Sequence, residues 1–558
     1  MSPEEYSFVC DRILTETMKY IKTDNMRKRI IKDTHIKSRD PIYISAATSG
    51  APITIAYTPV GSGKSTLIAD RVKGLMLNGT PAENIAVLSM NIAKAKQTAL
   101  DLPGIKSMTF SDFTHELFTA NKTGYELVDD NTVINTLKLQ AQTPFCQTFL
   151  NKLTLSNPQD RNSLLTVFVN NYTDEVEAEL AKIHKISYTL ESMLCQNQVY
   201  NFTNNPFYLE EIIVNGIHNM PLHTLCCLLE YASALGCNLF FTGMPDETIY
   251  EFNMAYGKAI NVLSSYMGAL DISVVRLPSI KMTADIQNTL LQTEGAVIHA
   301  DSVQTSDIMI KYEDDEQFVL ENTIVDPLCS YIDGKLAKKE QIMCIAKSKS
   351  EINAIKSVIL NHKDYSAYNI TDLTEIQSPT LLWGTVLTKY ANSLKTAYPN
   401  GITKIMLYDS LWKFLSQEIS IASSKRMKDL YTKSQETLSE KAATIWTEDD
   451  LTEKPVITRI QEIIEEESKQ MNEYNDRIKD HVSVNLSKSD IILSTIHSAT
   501  DIRCDNVIVY LRNFSDKIDE NLHRIALSRA NNTEYLIFAN SGNFQIPVQR
   551  YLKYHMSE

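Results

Sequence analysis

Residues 53–66 constrain the fold of this chain more than any other stretch. They read Ile53-Thr-Ile-Ala-Tyr-Thr-Pro-Val-Gly-Ser-Gly-Lys-Ser-Thr66. An apolar, β-prone run, Ile53 to Tyr57, enters a loop that carries Gly61, Ser62 and Gly63. Lys64, Ser65 and Thr66 follow, and Leu67 to Met76 reads as helix. Strand, glycine loop and helix in that order make a cradle for phosphate. Glycines let backbone N–H groups turn inward on an anion, the lysine reaches the outer phosphates, and the Ser65 hydroxyl is placed to take a Mg²⁺. Gly61, Ser62, Gly63, Lys64, Ser65 and Thr66 are therefore the candidate nucleotide-binding residues, with ATP and Mg²⁺ as the ligands. The usual pattern has a glycine five residues before the second glycine. Here that position is Thr58.

A chain of 558 residues is too long for one core, and roughly three or four globular units are expected. Hydrophobic content of 43% and charged content of 22% are ordinary for a soluble protein. No run of 18 apolar residues occurs, so no membrane span is expected. The opening Met1-Ser-Pro-Glu-Glu5 lacks the basic-then-apolar layout of a signal peptide. Nine cysteines stand without metal-ligand spacing, and Cys226–Cys227 reads as helix core. A reducing cytoplasm fits, bacterial or host. The net charge of −14 argues against nucleic-acid binding through a bulk field but leaves local basic stripes open. Usage rich in Asn, Ile and Tyr with 17 glycines is the kind associated with AT-rich genomes, viral ones among them.

Along the chain, residues 1–45 read as a helical segment with a basic cluster, Arg27, Lys28, Arg29, Lys32, Lys37 and Arg39. That cluster suits either a phosphate backbone or a solvated helix face. Strand-like runs follow at Ile85–Ser89, Glu211–Val214 and Asn238–Gly243, separated by helical stretches. The pattern restarts near residue 278, with strands at Gln341–Ala346, Asp490–Ser494, Asn506–Tyr510 and Glu534–Phe538. Strand–helix repetition with such apolar runs reads as parallel α/β. Mostly helical insertions interrupt both halves. The expected division is 46–120 with 205–277, an insertion at 121–204, then 278–365 with 487–558, and an insertion at 366–486.

Three more stretches carry a family resemblance. Phe240-Phe-Thr-Gly-Met-Pro-Asp-Glu-Thr-Ile-Tyr-Glu-Phe252 resembles motif III of superfamily 1 helicases, usually Gly-Asp-x-Asp-Gln-x-Ile-Tyr-x-Phe/Trp. Leu493-Ser-Thr-Ile-His-Ser-Ala499 resembles motif V, usually Thr-x-His-x-Ala-Lys-Gly-Leu-Glu. His523-Arg-Ile-Ala-Leu-Ser-Arg-Ala530 resembles motif VI. With the phosphate loop, in this order and spacing, they resemble the UvrD/Rep/PcrA group over nearly the whole chain. That resemblance implies two RecA-like P-loop domains, each with a helical insertion, ATP between them and single-stranded DNA across the top. It also implies that Arg529 reaches the γ-phosphate when the cleft closes, coupling charge stabilisation to motion.

The departures from the family bear directly on chemistry. The family strand that ends in Asp-Glu, a metal ligand and a water-polarising base, falls here on Ile212–Val214 followed by Asn215 and Gly216. Asn215 brings no charge to a metal, and Gly216 can do no acid–base work. The motif III glutamine is Glu247. Motif IV falls near Ser279-Ile280-Lys281, where Lys281 replaces an arginine and the fork is lost. The motif V Lys-Gly-Leu-Glu reads Thr500-Asp501-Ile502-Arg503, without the ribose-binding acid. General-base positioning contributes about 10²–10⁴ in rate, so a very slow hydrolase at best is expected. Glu210 and Glu211 stand at the wrong end of their strand to substitute. Asp246 and Glu247 are the better substitutes.

For DNA, the resemblance points to Tyr250 and Phe252 as base-stacking aromatics, to Thr109, Ser111 and Phe113 as backbone contacts and to His497 as a DNA or lobe contact. Stacking contributes about 1–3 kcal/mol per base. The alternative for Tyr250 is a place in the core. Three expectations result: a helicase-fold protein that binds single-stranded or tailed DNA, and ATP with little or no hydrolysis, as a scaffold or subunit in replication, repair or transcription; a working 3′–5′ helicase with relocated carboxylates; or a protein–protein module that no longer touches DNA.

Overall fold

The computed structural model describes residues 3–277 except 60–61, 141–143, 156–163, 166–167, 170 and 252–253. It describes 303–374 except 306–307, 313–314, 320–321 and 363–367, then parts of 390–469, and 489–539 except 501, 512–521, 523–524 and 527–528. The chain divides into two compact units. One comprises Met1–Phe113, Val199–Glu375 and Asp480–Glu558; the other comprises Thr114–Gln198 and Ile376–Lys479.

The first unit is mixed α/β, built on parallel sheets flanked by helices. Its strands begin with β1 (Ile53–Tyr57), β2 (Ile85–Ser89) and β3 (Lys106–Thr109). The short pair β4 (Glu126–Leu127) and β5 (Lys185–Ile186) belongs to the other unit. Then come β6 (Glu211–Asn215), β7 (Asn238–Gly243) and β8 (Ile272–Arg276). These six strands of the first unit, β1–β3 and β6–β8, form one parallel sheet in the order β3-β2-β6-β7-β1-β8. Ile53, Ile55, Val87, Ile213 and Phe240 are fully buried. Both faces are covered, which is why these strands are continuous apolar runs rather than alternating ones.

A second set follows in the same unit: β9 (Val303–Thr305), the antiparallel pair β10 (Ile308–Tyr312) and β11 (Asp315–Val319), β12 (Ile342–Ala346), β13 (Ile370–Asp372), β14 (Ile491–Thr495), β15 (Cys504–Leu511) and β16 (Ala530–Ala539). Six of them form a second parallel sheet in the order β13-β14-β12-β15-β16-β9. The helices Asn322–Leu336 and Lys349–His362 pack on it through Leu328, Ile332, Ile352, Ile355 and Ile359. The two sheets meet through an apolar cluster. Ile249, Tyr250 and Ala255 of the first lie against Met343, Ile345, Ile492, Ile496 and Val509 of the second.

The second unit is mostly helical. Its helices include Asp130–Gln140, Thr173–Ile183, Tyr188–Gln198 and Lys404–Ile421, and Leu407, Leu411, Leu415, Ile460 and Ile464 form one of its cores.

Only two parts of the first 45 residues are α-helical, α1 (Pro3–Tyr20) and the start of α2 (Pro41–Ala47). The basic cluster lies between them on a strap with a single short 3₁₀ turn, Thr23–Asn25. The strap closes the amino edge of the first sheet. Arg27 N–H donates to Asn238 Oδ1 at 3.2 Å, and Asn238 Nδ2 donates back to the Arg27 carbonyl at 2.8 Å. Arg29 donates to the Glu210 carbonyl at 2.9 Å and pairs with its carboxylate. A Cβ on Gly50 would fall 1.7 Å from the Arg29 carbonyl oxygen, so the strap requires glycine there. Backbone groups bonded to strand ends have no need of helical hydrogen bonds, which is why the segment is not helix.

No helix among the described residues is long and apolar enough to cross a membrane. The described cysteines are free and buried, Cys226 and Cys227 within the helix Leu222–Leu235. No group of three His, Cys, Asp or Glu among the described residues could hold a metal ion.

Candidate phosphate-binding site

The carboxyl ends of β1, β2, β6 and β7 stand side by side, with Tyr57 opposite Gly243, Thr242 opposite Asn215 and Asn215 opposite Ser89. In parallel sheets ligands bind outside this edge. The loop leaving β1 is tied to it: Thr58 N–H donates to the Gly243 carbonyl at 3.1 Å, and Ser62 N–H to the Pro59 carbonyl at 3.0 Å. Gly63 adopts φ +83° at the N-cap of α3 (Lys64–Leu77). A left-handed N-cap favours glycine, and it sets the start of α3 just past the carboxyl end of β1. Gly61 lies outside the described residues.

Buried polar atoms without partners gather at this edge. The hydroxyls of Thr58 and Ser62, the amide oxygen of Asn215 and the amide nitrogen of Asn91 are all buried and unbonded. Thr58, Ser62 and Asn215 are each 1% exposed. Buried polar groups are nearly always bonded, so such a cluster at one strand edge marks a place for a polar ligand.

Gly216 follows β6 with φ +87°, and its N–H donates to the Thr242 carbonyl at 3.0 Å. A side chain is strained in that conformation. The backbone itself therefore disfavours a carboxylate side chain at this position. A Cβ there would lie 4.0 Å from Lys64 Nζ and 3.5 Å from the His218 ring. Lys64 thus reaches the end of β6.

His218 sits at the centre of the edge and is a residue the sequence reading missed. It is 2% exposed. Its Nδ1 accepts from the Met244 N–H at 3.2 Å, so a neutral ring carries its proton on Nε2. Nε2 lies 4.0 Å from Glu247 Oε2. Burial, with the Lys64 charge beside it, holds His218 well below the ordinary histidine range. Gly243 admits the ring, since a Cβ there would fall 2.6 Å from Nδ1. The one sequence signal was position: a histidine two residues past the lost carboxylates.

Ser65, the expected Mg²⁺ ligand, instead accepts a hydrogen bond from Lys94 Nζ at 3.0 Å. Lys94 belongs to α4 (Ile92–Asp101), whose N-cap, Asn91, accepts from the Lys94 N–H at 2.7 Å. Neither Asn215 nor Gly216 offers a carboxylate, and a lysine stands on the serine. These residues do not fit a Mg²⁺ site of the usual kind.

No protein-family model and no curated protein matches this chain.

The other expected site residues fall as follows. Glu247 is 9% exposed and lies within electrostatic reach of Arg503. The two positions thus carry opposite charges, where the helicase pattern has a glutamine and an acid. Glu211, fully buried, is held by Arg71 at 2.6 Å at the amino end of β6, and Glu210 by Arg29, so neither serves the carboxyl edge. Arg529 is 7% exposed. Its Nε donates to the Ile525 carbonyl at 2.9 Å, and its Nη1 donates to the Thr500 carbonyl.

Burial bears on two of the expected DNA contacts, the backbone contact Phe113 and the stacking aromatic Tyr250. Phe113 is fully buried, stacked on Phe207 with centroids 5.4 Å apart and edge-on to Tyr231. Tyr250 is buried between the sheets, its hydroxyl on the His497 carbonyl. Neither ring has a face free for a base. Thr109 caps α5 (Phe110–Asn121): its hydroxyl accepts from Asp112 N–H at 3.0 Å, and Asp112 accepts from the Thr109 N–H at 3.2 Å. That reciprocal pair is local chain geometry. Ser111 is exposed. His497 is partly exposed, and burial together with the Lys347 charge lowers its pKa. Phe252, Asn253 and Lys281 lie outside the described residues, as does the side chain of Asp246.

Proposed function

We propose that this chain is a UvrD-like superfamily 1 helicase-fold protein, with two RecA-like lobes, that binds a nucleoside triphosphate at residues 58–66 and hydrolyses it poorly or not at all. It acts on single-stranded or tailed DNA as a clamp, scaffold or subunit rather than as a motor. One observation carries the reading. Unpartnered Thr58 and Ser62 hydroxyls and the Lys64 ammonium gather where the phosphate loop meets β6, while the two carboxylate positions there are Asn215 and a left-handed Gly216. The site retains groups that bind phosphate and lacks those that activate water. The order of four motifs along the chain supports the DNA part.

The test is ATP binding by calorimetry beside steady-state hydrolysis, with and without single-stranded DNA, for wild type and Lys64→Ala. Binding lost in Lys64→Ala, with hydrolysis at background in both, is the expected result. A DNA-stimulated rate abolished by Lys64→Ala overturns it.

One observation favours a second reading, slow hydrolysis through Glu247. Glu247 Oε2 faces His218 Nε2 at 4.0 Å beside Lys64, a carboxylate placed within one water of the expected phosphate position. Under that reading Glu247→Gln removes a measurable rate.

A further inference from the structure

We infer that this site takes its triphosphate without a divalent cation, with the Lys94 ammonium standing where the metal would stand. The inference rests on reading residues 58–66 as a nucleotide site.

In a phosphate loop of this type the hydroxyl after the lysine is one fixed ligand of Mg²⁺, and the charge that holds the ion comes from a carboxylate at the end of a neighbouring strand. Here the hydroxyl of Ser65 is engaged by Lys94 Nζ at 3.0 Å. A cation is already present beside it, supplied by the protein. The carboxylate has gone from the position that would hold a metal: Asn215 ends β6 with its Oδ1 buried and unbonded and its Nδ2 toward Ser89 at 3.5 Å. Loss of the acid and gain of the lysine are complementary. A carboxylate at 215 would serve a metal, while a neutral amide leaves the ammonium as the local positive charge.

The placement of Lys94 is built rather than incidental. Asn91 follows the turn after β2, and β2 pairs with β6 so that Ser89 is opposite Asn215. Asn91 Oδ1 caps α4 on the Lys94 N–H itself, which fixes the backbone from which the side chain extends. The remaining charges agree. Lys64 Nζ lies at the end of β6, and His218 is kept neutral by burial beside it. A triphosphate at this edge would meet two ammonium groups and the start of α3. A Mg²⁺ at Ser65 would bind within about 2.1 Å of its oxygen and so within close range of Lys94, a like charge, while β6 ends in the neutral Asn215. Lysine is a compact cation that binds phosphate as a point charge, the role a metal would otherwise fill.

The experiment is titration of ATP into the full chain by calorimetry, once in excess EDTA and once in excess Mg²⁺. The variants are Lys94→Ala, Lys94→Arg and Lys64→Ala. Wild type is expected to bind in EDTA as well as in Mg²⁺. Lys94→Ala is expected to lose about 10- to 100-fold in EDTA, the range for one hydrogen bond to a charged group, and Lys94→Arg to keep most of the affinity. Because Lys94 is partly exposed, these variants should fold. Asn215→Asp added to Lys94→Ala is expected to make binding depend on Mg²⁺. Wild-type binding that vanishes in EDTA, or Lys94→Ala binding as tightly as wild type in EDTA, overturns the role of Lys94 and leaves the nucleotide site standing. No ATP binding in either buffer overturns the nucleotide site itself.

Discussion

The Tyr250 hydroxyl donates to the main-chain carbonyl of His497 at 2.8 Å, which joins the connection between β7 and β8 of the first parallel sheet to the turn after β14 in the second. The rings of the two residues meet edge-on with centroids 5.9 Å apart. The aromatic that the family pattern offers to a base is here spent on the junction between sheets.

Tyr250→Phe therefore tests the junction without emptying it. The His497 carbonyl also accepts from the Thr500 hydroxyl at 2.6 Å, so it is not orphaned, and the loss is expected near about 1 kcal/mol. Tyr250→Ala removes the ring from a packed cluster and is expected to cost on the order of 3–5 kcal/mol. Urea denaturation reads both. Weaker binding to single-stranded DNA with unchanged stability in Tyr250→Phe and Tyr250→Ala would instead place the ring on the nucleic acid.

Gly216 predicts that an acid cannot simply be placed at this strand end. With φ at +87°, Gly216→Ala is expected to cost about 1–2 kcal/mol from backbone strain alone. Asn215→Asp with Gly216→Glu should bind ATP no better than wild type, be less stable, and show no hydrolysis above background. Recovery of a DNA-stimulated rate in the double variant would show that the carboxylates alone were missing.

Two groups, the buried His223 and the half-buried Glu230, set opposite pH responses. His223 is 5% exposed with its Nδ1 unbonded, and burial pushes its pKa down to about 4. The unfolded chain binds that proton near pH 6.5 and the folded chain does not, so the folded state loses stability as pH falls from about 6.5 toward 4. The full difference amounts to about 3 kcal/mol. His223→Gln should flatten this acid limb. Glu230 is pushed up to about 8 by burial, so it works the other way: stability falls as pH rises from about 4.5 to 8. Glu230→Gln should lift the melting temperature at pH 8 more than at pH 5. Melting curves across this range check both signs, and a Glu230→Gln effect larger at pH 5 contradicts the assignment.

Much of the sheet scaffold was legible because its strands are buried on both faces. Ile53–Tyr57, Ile85–Ser89 and Asn238–Gly243 show as unbroken apolar or β-branched runs, and no helix-facing alternation competes with them. Ile272–Arg276 escaped notice because it is an edge strand, half-buried and ending in arginine. The strap at 21–40 read as helix because nothing in its composition announces that Arg27 and Arg29 find their partners on strand ends more than 180 positions away. In the site, the strand before Thr58 and the helix after Gly63 were legible because their spacing is local. His218 and Lys94 were not, since each acts through a neighbour brought in by sheet pairing, and a lone histidine or lysine has no pattern of its own. Phe113 was assigned to DNA from its motif position, yet the same residue type in a helix facing Phe207 and Tyr231 belongs to the core.

Arg529 carries the last prediction, because its expected role and its observed contacts differ. The resemblance gives it to the γ-phosphate, whereas the guanidinium lies on the carbonyls of Ile525 and Thr500. Its own backbone joins the same turn, with the Arg529 carbonyl accepting from Cys504 N–H at 3.1 Å. Removing the side chain takes two charge-assisted hydrogen bonds from the Ile525 and Thr500 carbonyls, so Arg529→Ala is expected to cost about 3–6 kcal/mol. Arg529→Lys should recover only part of that, since a single ammonium cannot copy the fork. ATP affinity, measured where the variant is still folded, should stay within about twofold of wild type, well under the tenfold that 1.4 kcal/mol represents. An Arg529→Ala protein with wild-type stability and a large loss of ATP affinity would place the guanidinium on the phosphate after all. A fall in activity with a fall in stability would be only the turn coming apart, so hydrolysis data for this variant have meaning only beside its denaturation curve.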